Sequence, residues 1–266
     1  MEYRFGNLEQ TLTGWPTRLL ASAGFAGILS LLALISFPLP WTPVPFSMMP
    51  LGLLLAGAYQ RPLWGFLSVA MYLVAAGIGA PIFADGESGW SWFLGASGGY
   101  LFGFLLVSPL VGWYMRERRG MLPTKWVAFV ISAFTLAVLG GLGAIIWMTT
   151  TGSSISSLDG DTQNWNMGRS TLWVLLFLIV AMTALTLTFL RRYRQQSQEA
   201  LNLFLVMMGA IIVLHTCGVL VLWMATSLTF MEALLLGSLV FLPFDVLKSG
   251  LAVALSLPFV PPVNHD

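Results

Sequence analysis

Residues 201–224 read LNLFLVMMGAIIVLHTCGVLVLWM and contain no Asp, Glu, Lys or Arg. As an α-helix rising about 1.5 Å per residue, this stretch is about 36 Å long, enough to cross a hydrocarbon core about 30 Å thick. Lipid offers no water to solvate a free backbone, so a run of this kind is read as a membrane-spanning helix. The whole chain agrees: of its 266 residues, 57% are hydrophobic and only 9% charged, against about 25% charged in an ordinary soluble domain. Mean hydropathy is +0.83. A soluble globule, a disordered chain and a disulfide-stapled secreted domain are excluded, the last because Cys217 is the only cysteine. A net charge of +1 provides no field for nucleic acid.

Outward from 201–224, the apolar runs predict about eight spans, at approximately 19–36, 47–59, 63–79, 95–115, 126–149, 171–190, 201–224 and 232–257. The second is short and flanked by Pro45 and Pro62, with Pro50 near its start, which suggests a tilted or partial crossing. Basic residues set the orientation. Arg4, Arg18, Arg61, Arg116, Arg118, Arg119, Lys125, Arg191, Arg192 and Arg194 fall on one side, Arg169 alone on the other, and Lys248 inside a span. Both termini are therefore expected in the cytoplasm of a multi-pass plasma-membrane protein, with loops 37–46, 80–94, 150–170 and 225–231 facing outward. The N-terminal apolar run reads as a retained first span rather than a cleaved leader.

An ionisable residue within a span costs about 2.5–3.5 kcal/mol on insertion scales and marks a candidate functional site. Two occur in Leu242-Pro243-Phe244-Asp245-Val246-Leu247-Lys248-Ser249-Gly250. Asp245 and Lys248 are three residues apart, hence on one helix face, and Pro243 stands where a helix can start afresh. They form either an ion pair that fixes helix packing or a polar anchor in an aqueous cavity.

A second candidate is the outward loop Gly79-Ala80-Pro81-Ile82-Phe83-Ala84-Asp85-Gly86-Glu87-Ser88-Gly89-Trp90-Ser91-Trp92, which leads into Gly95-Ala96-Ser97-Gly98-Gly99-Tyr100. Its glycines allow close backbone approach, and its tryptophans suit either an interfacial belt or a lid. His215 and Cys217 are weaker candidates. No carboxylate or second histidine lies at ligand spacing from them, so His215 reads as a helix-to-helix hydrogen bonder and no metal site is expected. The 13 methionines fit flexible apolar packing. No Gly-x-x-x-x-Gly-Lys-Ser/Thr phosphate loop is present, so any ATP hydrolysis belongs to another chain.

Three stretches together resemble the BioY family, the biotin-specific S component of energy-coupling-factor (ECF) type ABC transporters. They are Pro43-Val44-Pro45-Phe46-Ser47 running on to Leu51-Gly52-Leu53-Leu54-Leu55-Ala56-Gly57; Tyr72-Leu73 with Gly79 to Ala84 and Leu94-Gly95-Ala96-Ser97-Gly98-Gly99-Tyr100-Leu101-Phe102-Gly103-Phe104; and Phe241 to Lys248. The resemblance covers roughly 18–118 and 201–257. It implies an all-α six-helix S-component core that binds biotin at its outward side without catalysis or cofactor, and that docks on a transmembrane T component driven by two ATPases. It places substrate contacts on Asp245, Lys248, Tyr100, Gly98, Gly99, Ser97, Glu87 and Gly86. Phe83, Trp90 and Trp92, with Tyr100, are expected to cover the apolar ring of the ligand. On the first helix, Ser22, Ala26, Ala23 and Gly27 form small-residue pairs four apart, which suit docking to the T component or contact within the chain.

Departures from the family pattern are equally specific. Ser47-Met48-Met49-Pro50 replaces Thr-Leu-Gln-Thr, Asp85 replaces a lid glycine, and Ala96 stands where Pro is usual. Glu87 and Leu101 occupy positions where some members carry Asn and Arg. The chain thus divides into a core of four spans over 1–118, an inserted pair of spans with a polar outward loop over 119–200, and the last two core spans over 201–266. An S-like component for another small ring-containing solute, or a proton-coupled carrier acting alone, are the competing readings.

Overall fold

The computed structural model describes residues 14–37, 42–117 and 197–257. The first helix, α1 (Trp15–Leu34), starts after Gly14 with Pro16 in its first turn, where a missing N–H costs nothing. Its buried residues are Ser22, Ala26, Leu29 and Ala33, one stripe at helical spacing, and Leu20 and Leu31 on other faces are 73% and 66% exposed. A single apolar stripe facing inward with apolar residues also facing outward is the pattern of a helix at a bundle's lipid edge. The Ser22 hydroxyl donates to the Trp64 carbonyl at 3.2 Å. Ser22 and Ala26 are therefore turned into the chain, whereas Gly27 is exposed and Ala23 half-buried.

A short antiparallel pair, β1 (Ser36–Phe37) and β2 (Phe46–Ser47), carries the chain into α2 (Met49–Tyr59). At 11 residues α2 is too short to cross a bilayer by itself. Met49, Leu51, Gly52, Leu53, Leu54, Ala56 and Gly57 are all buried, so its apolar character all round reflects a central position among protein neighbours. It packs on α1, on α5 (Gly98–Glu117) and on α8 (Leu242–Ser256). The Tyr59 hydroxyl ties its end to the Leu255 carbonyl of α8 at 2.8 Å. Between α2 and α5 run α3 (Pro62–Gly77) and the one-turn α4 (Ser91–Leu94).

The uncharged run over 201–224 lies within α6 (Ser197–Ala225), which packs along α5. Contact is close because side chains are missing where backbones meet. A Cβ at Gly99 would collide with the Cys217 carbonyl, and one at Gly218 with the Tyr100 ring. The span expected as continuous over 232–257 is interrupted. It comprises α7 (Phe230–Leu234), a π-helical turn over Leu235–Leu239, and α8, which restarts with Pro243 in its first turn. Thr229 and Glu232 form a capping box at the start of α7, which satisfies two of its orphan N–H groups.

Among the described residues, four stretches are long and apolar enough to cross a membrane: Trp15–Leu34, Gly98–Arg116, Glu199–Ala225 and Phe230–Ser256. The expected spans over 126–149 and 171–190, with their polar loop, lie outside the described residues, as do the chain ends and residues 38–41. Residues 197–200, assigned from sequence to the insertion, belong to α6.

Candidate functional site

The first turn of α8 sets the polar centre. Asp245 and Lys248 project from one face, and the Lys248 Nζ donates to Asp245 Oδ1 at 2.9 Å. Both residues are buried, at 1% and 3% exposure. On the other side of the carboxylate, His215 Nε2 of α6 lies 2.7 Å from Asp245 Oδ2. Each oxygen of Asp245 therefore faces a nitrogen-bearing side chain, one from its own helix and one from 30 residues away. The Lys248 ammonium also sits 4.2 Å from the centroid of Phe46 in β2, a cation–π contact that holds the amine at the edge of an apolar space.

The π-helical turn supplies the anchor for this arrangement. An i→i+5 turn displaces carbonyls from the regular ladder and leaves them open to other donors. Thr42 donates to the Leu236 carbonyl at 2.8 Å, Tyr100 of α5 donates to the Gly237 carbonyl, and His215 Nδ1 lies 3.2 Å from that same Gly237 oxygen. His215 is further fixed by stacking on Phe241 at 6.4 Å and by the edge of Tyr100 at 6.2 Å.

Of these groups, Tyr100, His215, Phe241, Asp245 and Lys248 line a cavity of about 90 Å³, several times the space one water molecule needs. Most of the remaining lining is apolar and aromatic. Phe83 comes from the loop, Trp92 from α4, Tyr72 from α3, Leu101 and Phe104 from α5, and Val44 and Pro45 from the segment before β2. The loop is held over the cavity by its own bonds. Phe83 N–H donates to the Glu87 carbonyl at 2.9 Å, Gly89 N–H donates to the Ala76 carbonyl at 2.8 Å, and Asp85 N–H donates to the Ser36 hydroxyl at 2.9 Å. Gly86 takes a positive φ of 75°, which a side chain would strain.

Of the residues singled out from sequence, Asp245, Lys248, Tyr100, Ser97, Phe83 and Trp92 line this cavity together. Gly98 and Gly99 are buried behind it, where they permit contact with the Phe93 backbone and with α6. Gly86 shapes the loop, and Glu87 and Asp85 are exposed. Trp90 is 58% exposed and covers Gly77 and Phe93 rather than the cavity. His215 is the residue that sequence reasoning undervalued. Its only sequence signal is a histidine placed mid-span, and its partner on a separate helix is invisible to helical spacing. The reading of it as a helix-to-helix hydrogen bonder describes the contact but not its place at the cavity.

Comparison with known proteins decides the family. The model of the BioY family matches residues 8–196 and 173–264. This chain belongs to the BioY family. Within that family, it is 30% identical over 114 residues to the Biotin transporter BioY of Lactococcus lactis subsp. cremoris, which is 42% of this chain and 60% of that protein. It is 38% identical over 88 residues to the Probable biotin transporter BioY of Bacillus subtilis, 32% of this chain and 45% of that one. It is 36% identical over 103 residues to the Biotin transporter BioY of Thermotoga maritima, 38% of this chain and 60% of the relative. The chain thus spans less than two thirds of the length of these curated relatives. The crystal structure of the S-component for biotin from an ECF-type ABC transporter matches with a TM-score of 0.54 and 22% identity, covering 90% of this chain and 88% of that one. The likeness to that structure is one of fold.

Proposed function

We propose that this protein is a membrane-embedded biotin-binding S component that captures biotin at the extracytoplasmic side. It then delivers biotin by docking on a transmembrane T component energised by two ATPases. The observation that carries this reading is the buried Asp245–Lys248 pair opening onto a mostly apolar cavity. Few polar anchors in an apolar, aromatic pocket is the usual composition of a small-molecule site. Biotin has two ureido N–H donors and a carbonyl, an apolar thioether ring and a carboxylate tail. A carboxylate has about four lone-pair sites, so Asp245 retains acceptors for ureido N–H groups while engaged by Lys248 and His215. Lys248 has two further hydrogens for the tail or the ureido oxygen. Phe83, Trp92 and Tyr100 cover the ring. The exposure of Asp85 and Glu87 supports the reading by removing two carboxylates from the path of an anionic tail.

The basic-residue asymmetry supports an outward-facing cavity with both termini in the cytoplasm. On α1 the exposed Gly27 and half-buried Ala23, rather than Ser22 and Ala26, are the small residues open to the T component. We propose further that the core has six helices and that the added spans over 119–200 are peripheral to the site, giving eight in all. Deleting the added pair then leaves biotin binding intact in a folded protein.

Titration of the purified chain with biotin tests the function, with submicromolar affinity expected. Absence of heat and thermal shift with biotin, together with a clear response to another ring-containing vitamin, would overturn the substrate.

A further inference from the structure

We propose that His215 gives the cavity one net positive charge and thereby makes it select an anionic ligand over the uncharged derivative of the same ligand. This deepens the biotin reading and rests on it. The charge follows from counting protons. His215 Nδ1 faces the Gly237 carbonyl at 3.2 Å, and a carbonyl oxygen can only accept, so Nδ1 carries a hydrogen. His215 Nε2 faces Asp245 Oδ2 at 2.7 Å, a contact that requires one proton between the two atoms. Asp245 Oδ1 accepts from the Lys248 ammonium at 2.9 Å. Whether the shared proton sits on the ring or on the carboxyl, the three side chains sum to one positive charge. Without the histidine, the lysine and aspartate would sum to zero.

Among the described residues, the surroundings leave that charge uncompensated. Among the described residues, the His215 ring meets the Tyr100 phenol of α5, the Phe241 ring, a backbone carbonyl of the π-helical turn and Asp245 of α8, whose other oxygen Lys248 engages. Elsewhere in the lining, α3 contributes Tyr72 and α2 contributes Met49 and Pro50. Among the described residues lining the cavity there is no other Asp, Glu, Lys, Arg or His. His215, Asp245 and Lys248 are 6%, 1% and 3% exposed. A buried net charge is costly until a counter-charge arrives, and a ligand carboxylate in the cavity provides one.

The test compares biotin with its uncharged carboxamide, biotinamide, by titration of the full chain in detergent or nanodiscs. The wild type should prefer biotin by about tenfold or more, the scale of a close charge pair. In His215→Gln and His215→Asn, which keep a donor and lose the charge, the preference should fall to about threefold or less. A wild type that binds neither ligand overturns the biotin reading itself. If biotin binds and either variant keeps the wild-type preference, the biotin reading stands and the assignment to His215 is overturned.

Discussion

The Tyr100 hydroxyl donates to the carbonyl of Gly237, the same oxygen that faces His215 Nδ1. One backbone atom in a π-helical turn thus holds side chains from α5 and α6 at the edge of the cavity. Tyr100→Phe removes this bond and leaves the carbonyl with one partner. The expected cost is about 1 kcal/mol of stability, together with weaker biotin binding because the ring loses its anchor. Thermal unfolding and titration of the purified variant measure both, and a variant as stable and as tight as wild type contradicts the role.

Asp245 has a positively charged or protonated neighbour on each oxygen, which makes removal of the two ends of the Asp245–Lys248 pair unequal. Asp245→Asn leaves Lys248 and His215 buried against a neutral amide, and removal of one partner from a buried ionic group typically costs about 3–5 kcal/mol. Lys248→Met leaves Asp245 still engaged by His215. The methionine variant should therefore unfold at a higher temperature than the asparagine variant, while both bind biotin poorly. Equal unfolding temperatures would show that His215 does not compensate the carboxylate.

Gly218 has no room for a side chain, since the Tyr100 ring lies against it. Gly218→Ala should destabilise by about 1–3 kcal/mol, the usual cost of overpacking, and should displace Tyr100 from the cavity wall. Gly250, which has open space at its Cβ position, is the control: Gly250→Ala should be neutral or slightly stabilising by helix propensity. Thermal melts of the two variants decide between local crowding and a general intolerance of alanine for glycine.

Gly27 on α1 likewise has open space, with nothing within 4 Å of where a Cβ would stand, and faces away from the bundle. Gly27→Leu should leave biotin binding by the purified chain unchanged. If Ala23 and Gly27 form the docking face, the same substitution should abolish energised uptake in cells supplying the T component and ATPases. Uptake at the wild-type rate would place docking elsewhere.

The membrane-spanning character of α1, α5 and α6 was legible in the sequence because lipid imposes a length and an apolarity that a local window can measure. The Asp245–Lys248 pair was legible for a similar reason, since three residues on one helix bring two side chains together without help from the rest of the chain. The break at Leu235–Leu239 was hidden: its displaced carbonyls are satisfied by Thr42, Tyr100 and His215, none of them nearby in sequence. Trp90 and Glu87 read like Trp92 and Phe83 in the loop, and only the path of that loop over α3 separates those that line the cavity from those that face outward.

By itself, the amino-acid sequence determined the apolar helices, the basic-residue asymmetry and the local ion pair, because each depends on composition or on neighbours within one helical turn. Tertiary structure alone decided that His215 meets Asp245 and that both open on the same cavity. That contact depends on how α6 packs against α8, and two residues 30 positions apart acquire a shared proton only when packing has excluded water from between them.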